Sequence, residues 1–523
     1  MKKRLLLLYP STALDLEKLL LTRQLIRKDG RFLGSSLPTI AALTPQSEFE
    51  IRIQDEALEP VDFDQRYDLV GMSVYYNHLQ SAKRLARMFR ERGSTVVLGG
   101  SGVSVQPERW RDSADVLIIG EAERIWGRFI ADYLGGRFEP EYRETERFEL
   151  GDSPLPDYSA MDPATVRRYV SGIVQTSRGC PHRCEFCSVP AYLGQRPRFK
   201  PTGLVIREID QLHRMGFHHV FLADDSFASN RAKAKETLSA IRDWNRAHGY
   251  GTVFSTQLAI DIADDDELLS LAVEAGLCRV LIGIESTRKA TLEETRKFFC
   301  AGRDYDRDIR KINGYGLVIL GSSIIGFDTD DLTTFREQFD FFMRQGIHLI
   351  QAWPLQALDG SDLKTRAIAE GRYVDLEDAS AHPAQATTML ATQTFEPRNM
   401  SIAQLQQGIC WLLWNLYEPA NMATRLRRLL QDFEESPHRG RITMPPFFAT
   451  AEGVGIALRF LRYLIFEASS NDRRDIWQLV KTVRGFSHPH RYQMAVSSFL
   501  FSKNMHHILR REMAHVARFE YPT

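Results

Sequence analysis

Short apolar runs recur along the first 120 residues, separated by stretches of helical period. Runs at 5–9, 50–54, 69–74, 95–98 and 116–119 are the length of strands and are bounded by turn residues. Between them, residues 82–92 put Leu85, Ala86 and Phe89 on one stripe with basic residues opposite, the pattern of an amphipathic helix. This alternation predicts an α/β fold whose first 150 residues form a doubly wound, Rossmann-like parallel sheet. Such sheets bind ligands beyond the carboxyl ends of their strands. Glycines gather near those ends: Gly71 (with Ser73 just beyond), Gly99-Gly100-Ser101-Gly102 and Gly120-Glu121-Ala122-Glu123. Glycine there lets backbone approach a ligand closely.

After a linker at 151–169, the pattern changes register but not kind. Six apolar runs at 173–176, 219–223, 252–257, 280–284, 318–325 and 349–353 alternate with helical stretches such as 204–215 and 231–245. Repeated strand–helix units over 170–365 predict a barrel, with chemistry at the loops that follow the strands. Polar residues stand there: Asp224-Asp225-Ser226-Phe227 after the second run, Gln257 at the end of the third, Glu285-Ser286 after the fourth. Beyond residue 366 the signal is mainly helical (402–430, 452–466), after a loop expected at 375–398. The tail from 476 to 518 mixes basic and apolar residues. Arg425, Arg427, Arg428, Arg459, Arg462, Arg510 and Arg511 are expected to rim an amphipathic surface, read either as a solvated face or as a membrane-surface contact.

Composition narrows the classes. The chain has 523 residues, long enough for two or three domains, and 67 basic against 67 acidic side chains. A zero balance gives no reason to expect nucleic acid as a partner. Lys2-Lys3-Arg4 precede an apolar run too short for a signal peptide, so a buried first strand is expected. No stretch approaches the ~18 uncharged apolar residues of a membrane span. Six cysteines, three of them clustered, suit a reducing cytoplasm. Cys278, Cys300 and Cys410 stand alone and read as packed thiols.

The clustered three carry the chemistry. Cys180, Cys184 and Cys187 lie within eight residues, spaced Cys-x3-Cys-x2-Cys in a loop bent by Gly179 and Pro181. Zinc or a fully ligated 4Fe–4S cluster takes four ligands. Three leave one iron with an open position, a place for substrate. A zinc knuckle is the competing reading, but no fourth Cys or His stands at finger spacing downstream. His182, inside the loop, is expected to face solvent.

These cysteines, with Phe186 before the third, resemble the signature of radical S-adenosylmethionine (SAM) enzymes. The resemblance implies a partial (β/α)6 radical SAM barrel in which SAM chelates the open iron and yields a 5′-deoxyadenosyl radical. It places Asp224 and Asp225 at the motif that meets the methionine amine, and Gln257, Gly283, Glu285, Ser286 and Ser323 (in segment 321–326) around SAM. The first domain resembles the cobalamin-binding domain of many such enzymes, through Leu37-Pro38-Thr39, Asp55-Glu56, Asp68-Leu69-Val70-Gly71, Val97-Leu98-Gly99-Gly100 and Gly120-Glu121-Ala122-Glu123. That likeness implies Gly71, Ser73, Gly99, Gly100, Gly120 and Glu121 as cobalamin contacts. Asp-x-His-x-x-Gly is absent and His78 is the only histidine before residue 151, so cobalamin is expected without a histidine on cobalt. His78 is expected to be a turn residue.

Leu416-Tyr417-Glu418-Pro419 and a basic tail with His506-His507 resemble the class B methyltransferase subgroup that includes hopanoid C-2 methylases. This implies methylation of an unactivated carbon in a lipid or natural product, with an external reductant such as flavodoxin or ferredoxin. Two readings stand beside it: a cobalamin-dependent cyclase or ring-rearranging enzyme, and a non-catalytic iron–sulfur electron carrier. Methylthiotransferases are disfavoured because residues 1–179 hold no cysteine. No general base is legible.

Overall fold

A computed structural model describes residues 2–12, 20–375, 394–438 and 451–513. Its strands are β1 Lys3–Tyr9, β2 Phe32–Leu33, β3 Phe49–Asp55, β4 Leu69–Ser73, β5 Thr95–Gly99, β6 Val116–Ile119, β7 Glu141–Arg143, β8 Ser171–Val174, β9 Ser177–Arg178, β10 Arg198–Phe199, β11 His219–Leu222, β12 Val253–Leu258, β13 Leu277–Glu285, β14 Val318–Ile325 and β15 Leu349–Pro354. The first sheet runs β3-β1-β4-β5-β6-β7 and is parallel throughout. A parallel sheet is covered on both faces, so its strands are apolar without alternation. β1 shows this directly: Leu5 and Leu7 enter one core, Leu6 and Leu8 the other.

The second sheet runs β15-β14-β13-β12-β11-β8-β2, again parallel, and is open between β15 and β2. Its six sequence-legible strands are all present. The seventh, β2, comes from the first module and pairs Phe32 with Ser171 and Leu33 with Gly172 on β8. Two residues give no periodicity, which is why the crossing is invisible in the sequence. β9 and β10 form a small antiparallel pair at the mouth of this sheet.

Helices Ile402–Leu416, Pro419–Glu435, Ala451–Phe466, Ser470–Val483 and Arg491–Met513 make up the C-terminal region. The single helix expected at 402–430 is broken at Tyr417-Glu418, because Pro419 cannot continue a helix but starts one well. Tyr417 is tied to β15: its hydroxyl donates to Ile350 O at 2.8 Å and accepts from Ile350 N at 3.2 Å. Arg425 departs from the expected rim. It is fully buried and its Nε donates to Ile347 O. His506 is also buried, stacked on Trp414 with ring centroids 4.3 Å apart. Most of the loop expected at 375–398, and the end of the tail at 514–518, lie outside the described residues. Among the described residues no helix is long and apolar enough to cross a membrane.

Candidate active site between two sheets

The carboxyl ends of the two sheets face a common cavity of about 500 Å³. From the first sheet come Gly71, Ser73, Gly99, Gly100, Gly120 and Glu121; from the second, Asp225 and Gln257. Eight of the sequence-predicted positions therefore share one hollow. Asp224, Gly283, Glu285, Ser286 and Ser323 do not line it; they lie beside it, in or behind the strand ends.

Two glycines make the first wall. Gly100 has φ +101°, and a Cβ there would lie 2.6 Å from Val74 O. Gly120 has the same φ, with a Cβ falling 2.5 Å from Glu144 Cβ. No side chain fits at either point, so bare backbone borders the cavity.

Ion pairs bind this wall to the barrel. Arg178, two residues before Cys180, reaches Glu121 at 3.2 Å and Glu123 at 2.6 Å. Arg198 on β10 donates to Glu121 Oε2 at 2.8 Å and makes a second bond to Oε1. Although burial opposes ionisation of Glu121, the Arg198 hydrogen bonds and the charges of Arg178 and Arg198 hold its carboxyl below the usual range. Neither arginine is marked by any sequence pattern; only the docking of the two sheets brings them to Glu121.

Asp224 and Asp225 divide the cysteine loop between them. Asp224 is buried and accepts from the Thr176 and Ser177 amides at 2.7 and 2.6 Å, and from the Thr176 hydroxyl. Burial pushes its pKa up to about 6 despite these bonds. Asp225 accepts from Gly179 N at 3.1 Å and also lines the cavity. Two adjacent carboxylates thus bind three backbone amides immediately before the first cysteine.

The loop is fixed at its far side too. Glu185 N donates to Thr295 O, Glu185 O accepts from Leu363 N, and its carboxylate pairs with Arg366 at 2.8 Å. Phe186 packs against Phe327. Contrary to expectation, His182 is stacked on Phe299 at 4.0 Å rather than facing solvent. The three thiols are half-buried and unbridged. Burial raises Cys184 to about 12 and Cys187 to about 11, so both stay protonated until a metal displaces the proton. Among the described residues no three Cys, His, Asp or Glu side chains converge on a single ion position. A cubane binds one iron per thiolate at separate vertices, and Cys180, Cys184 and Cys187 lie close enough for their charges to act on one another.

At the end of β13 the backbone is strained. The β13–β14 pairing slips between Gly283 and Glu285, and Glu285 has φ +59°. Non-glycine residues in this region are held there by their surroundings. The surroundings are plain: Lys297 Nζ meets Glu285 Oε1 and Gly283 O, and Ser323 Oγ donates to Glu285 O at 3.1 Å. Glu285 Oε2 is buried without a partner. Ser286 Oγ accepts from Arg288 N. Lys297 lies close enough to Cys184 for each to shift the other's titration; it stands in the loop after helix Lys289–Glu294, where one lysine carries no sequence signal. His78 lies outside the central cavity. It closes a 3₁₀ turn, its Nδ1 accepting from Tyr75 N, and burial and Arg31 lower it to about 4.

A parallel sheet is closed against a second parallel sheet that carries the three-cysteine loop, and the one cavity between them can present two ligands to each other. Residues 174–341 match the radical SAM superfamily and residues 36–128 the B12 binding domain. The chain carries a radical SAM domain and a B12-binding domain, whose cofactors are a 4Fe–4S cluster, SAM and cobalamin. It is similar to an uncharacterized methyltransferase of Synechocystis sp., 29% identical over 419 residues that cover 79% of this chain and 75% of that protein. It is also similar to the hopanoid C-2 methylase of Rhodopseudomonas palustris, at 28% over 65% of this chain and 64% of that one. In fold it resembles the radical SAM methyltransferase TsrM of Kitasatospora setae, solved with cobalamin and a [4Fe-4S] cluster: TM-score 0.62, 16% identity, 98% of this chain and 99% of that one.

Proposed function

We propose that this enzyme transfers a methyl group to an unactivated carbon of a small molecule, either a lipid or a natural product. The observation that supports this reading is the single cavity bounded by the carboxyl ends of both sheets: a methyl carrier and a hydrogen abstractor must reach the same carbon. When bound, the cluster with SAM supplies a hydrogen-abstracting radical and cobalamin carries the methyl group. Cys180, Cys184 and Cys187 each give a thiolate to one iron. Asp225 and Gln257, at the mouth of the barrel, face SAM's ammonium and ribose, while Asp224 acts behind them by holding the loop. Glu285 is kept by Lys297 and Ser323 in an orientation whose free oxygen accepts from a ligand hydroxyl or ammonium. Backbone at Gly100 and Gly120, with Gly71, Ser73 and Gly99, lines the cavity and would border the corrin. The names of the two relatives, a methyltransferase and a methylase, favour methyl transfer over cyclisation or electron carriage.

The division of the chain follows: residues 1–150 serve cobalamin, 151–169 link, 170–365 serve SAM and the cluster, and 366–523 support the barrel. An external flavodoxin- or ferredoxin-type reductant supplies electrons in a cytoplasmic setting. Contact with a lipid surface is supported by one stripe of helix Ala451–Phe466. Val454, Leu458, Leu461 and Ile465 recur at helical spacing and are exposed, beside an exposed Arg462.

The deciding experiment is anaerobic reconstitution with iron, sulfide and hydroxocobalamin, followed by incubation with a low-potential one-electron reductant, methyl-deuterated SAM and a hydrophobic small-molecule extract. A product heavier by one deuterated methyl, with 5′-deoxyadenosine, supports the reading. 5′-Deoxyadenosine with an unmethylated product supports rearrangement instead, and neither species leaves an electron carrier.

A further inference from the structure

At the opposite end of the barrel from the cysteine loop lies a second, smaller hollow of about 130 Å³. Its floor is the amino-terminal ends of three strands, with Leu277 and Arg279 on β13, Val318 on β14 and Leu349 on β15. Its roof is Phe433, His488 and the first turns of helix Arg491–Met513. No carboxylate lines it. Arg279 Nε is nevertheless buried there without a hydrogen-bond partner. A guanidinium cannot shed its charge, and a half-buried charge without a counter-charge is costly.

The imidazoles of His348 and His488 can be given protonation states from their neighbours. His348 is 3% exposed, and its Nε2 lies 2.8 Å from Ser498 Oγ. Ser498 Oγ donates its one proton to Met494 O at 2.6 Å, so His348 Nε2 must be the donor in that pair. His348 Nδ1, which has no partner, is therefore a bare acceptor. His488 is the reverse case. Its Nδ1 accepts from His490 N at 3.2 Å, leaving the buried, unpartnered Nε2 to carry the proton. Burial pushes His348 down to about 3 and His488 to about 4, so both are neutral. Elsewhere on the wall, His490 Nδ1 meets Gln493 Oε1 and Cys278 Sγ donates to Phe254 O.

One cation, one N–H donor and one acceptor thus face a hollow walled by Leu277, Val318, Leu349 and Phe501. Water alone, about four molecules at ~30 Å³ each, would meet the donor and acceptor but leave Arg279 without a negative partner. We propose that the closed end of the barrel is a second ligand site, for a small hydroxycarboxylate with an apolar skeleton. Its carboxylate meets Arg279 and His488 Nε2–H, its hydroxyl donates to His348 Nδ1, and its skeleton lies on the aliphatic wall. Such a ligand would fasten the last helix to the barrel floor, far from the reacting cofactors.

The test uses the intact chain, with salicylate as probe and benzoate and phenol as its two halves. Calorimetric titration should show saturable salicylate binding, at least about tenfold weaker for benzoate and for phenol, and at least about tenfold weaker in Arg279→Gln and His348→Phe. In unmodified protein, salicylate should also slow N-ethylmaleimide labelling of Cys278, read by peptide mass, which decides the matter should either variant fail to fold. Absence of saturable binding, as for a hollow that holds only water, overturns the proposal. So does binding unchanged in Arg279→Gln, or protection at other cysteines without protection at Cys278.

Discussion

Lys297 Nζ lies 2.5 Å from Glu285 Oε1, and both side chains are almost fully buried beside the cysteine loop. The pair holds Glu285 in its left-handed backbone conformation and leaves its second oxygen buried without a partner. Lys297→Met strands a buried carboxylate, which costs about 3–5 kcal/mol. Denaturant unfolding of the metal-free chain should show that loss, and iron loading should fall with it. The double variant Lys297→Met with Glu285→Leu should recover much of the stability but not the activity.

Asp224 separates a positioning role from a binding one. Asp224→Asn keeps an acceptor for the Thr176 and Ser177 amides and should cost less than about 1 kcal/mol. Asp224→Ala leaves two buried amides unmet, at about 1–3 kcal/mol each. Because its folded pKa is raised to about 6, ionised Asp224 also weakens the fold at neutral pH. That group's contribution is fullest below its ordinary 3.8 and is lost as pH rises through 6, so Asn should remove this part of the pH dependence. A KM for SAM that rises sharply in Asp224→Asn, with stability unchanged, would instead make Asp224 a direct ligand.

How far the sequence carried depends on how local each signal is. The strands of both sheets show in short apolar runs, and Cys180, Cys184 and Cys187 are legible because one loop holds all three. Arg178 and Arg198 were not, since each acts across a contact between distant segments, and Lys297 was not because a lone lysine in a loop belongs to no pattern. Arg425 misled for the same reason: in sequence it joins a basic run, while in the fold it serves the carbonyl of Ile347 behind β15. β2 escaped because a two-residue strand has no period to read.

Gly100 tests the cobalamin wall. Gly100→Ala brings a Cβ to 2.6 Å from Val74 O at a φ of +101°. Strain there is about 1–3 kcal/mol, and the backbone must shift toward the cavity. Anaerobically purified Gly100→Ala should keep its iron–sulfur absorbance and lose most of its corrin absorbance. Gly93→Ala is the control, because its φ is +82° but nothing lies within 4 Å of the added carbon. It should lose stability alone.

The exposed stripe of helix Ala451–Phe466 makes a separate prediction. Leu458 and Leu461 are 63% and 53% exposed, so replacing both with glutamate should leave unfolding unchanged while introducing charge on that face. Sedimentation with anionic phospholipid vesicles should be strong for the unaltered chain and fall several-fold for the variant. Equal sedimentation would return the stripe to a plain solvated face.

Acid should part the two sheets. Glu121 binds Arg178 and Arg198 across the junction, and its folded pKa lies below the ordinary 4.5. A depressed carboxyl pKa contributes stability above 4.5 that is lost as pH falls through the lower, folded value. Glu144 works the other way: burial and the charge of Glu121 raise it, so it takes up a proton first and relieves repulsion before Glu121 does. The junction should therefore hold through pH 4.5 and open only below it. Small-angle scattering on a pH series should show a constant radius of gyration down to that point and an increase beyond it. Glu121→Gln removes the charge both arginines face, so its radius should be larger already at pH 7 and the acid step should shrink. A variant that keeps the wild-type acid step would place the opening elsewhere than at Glu121.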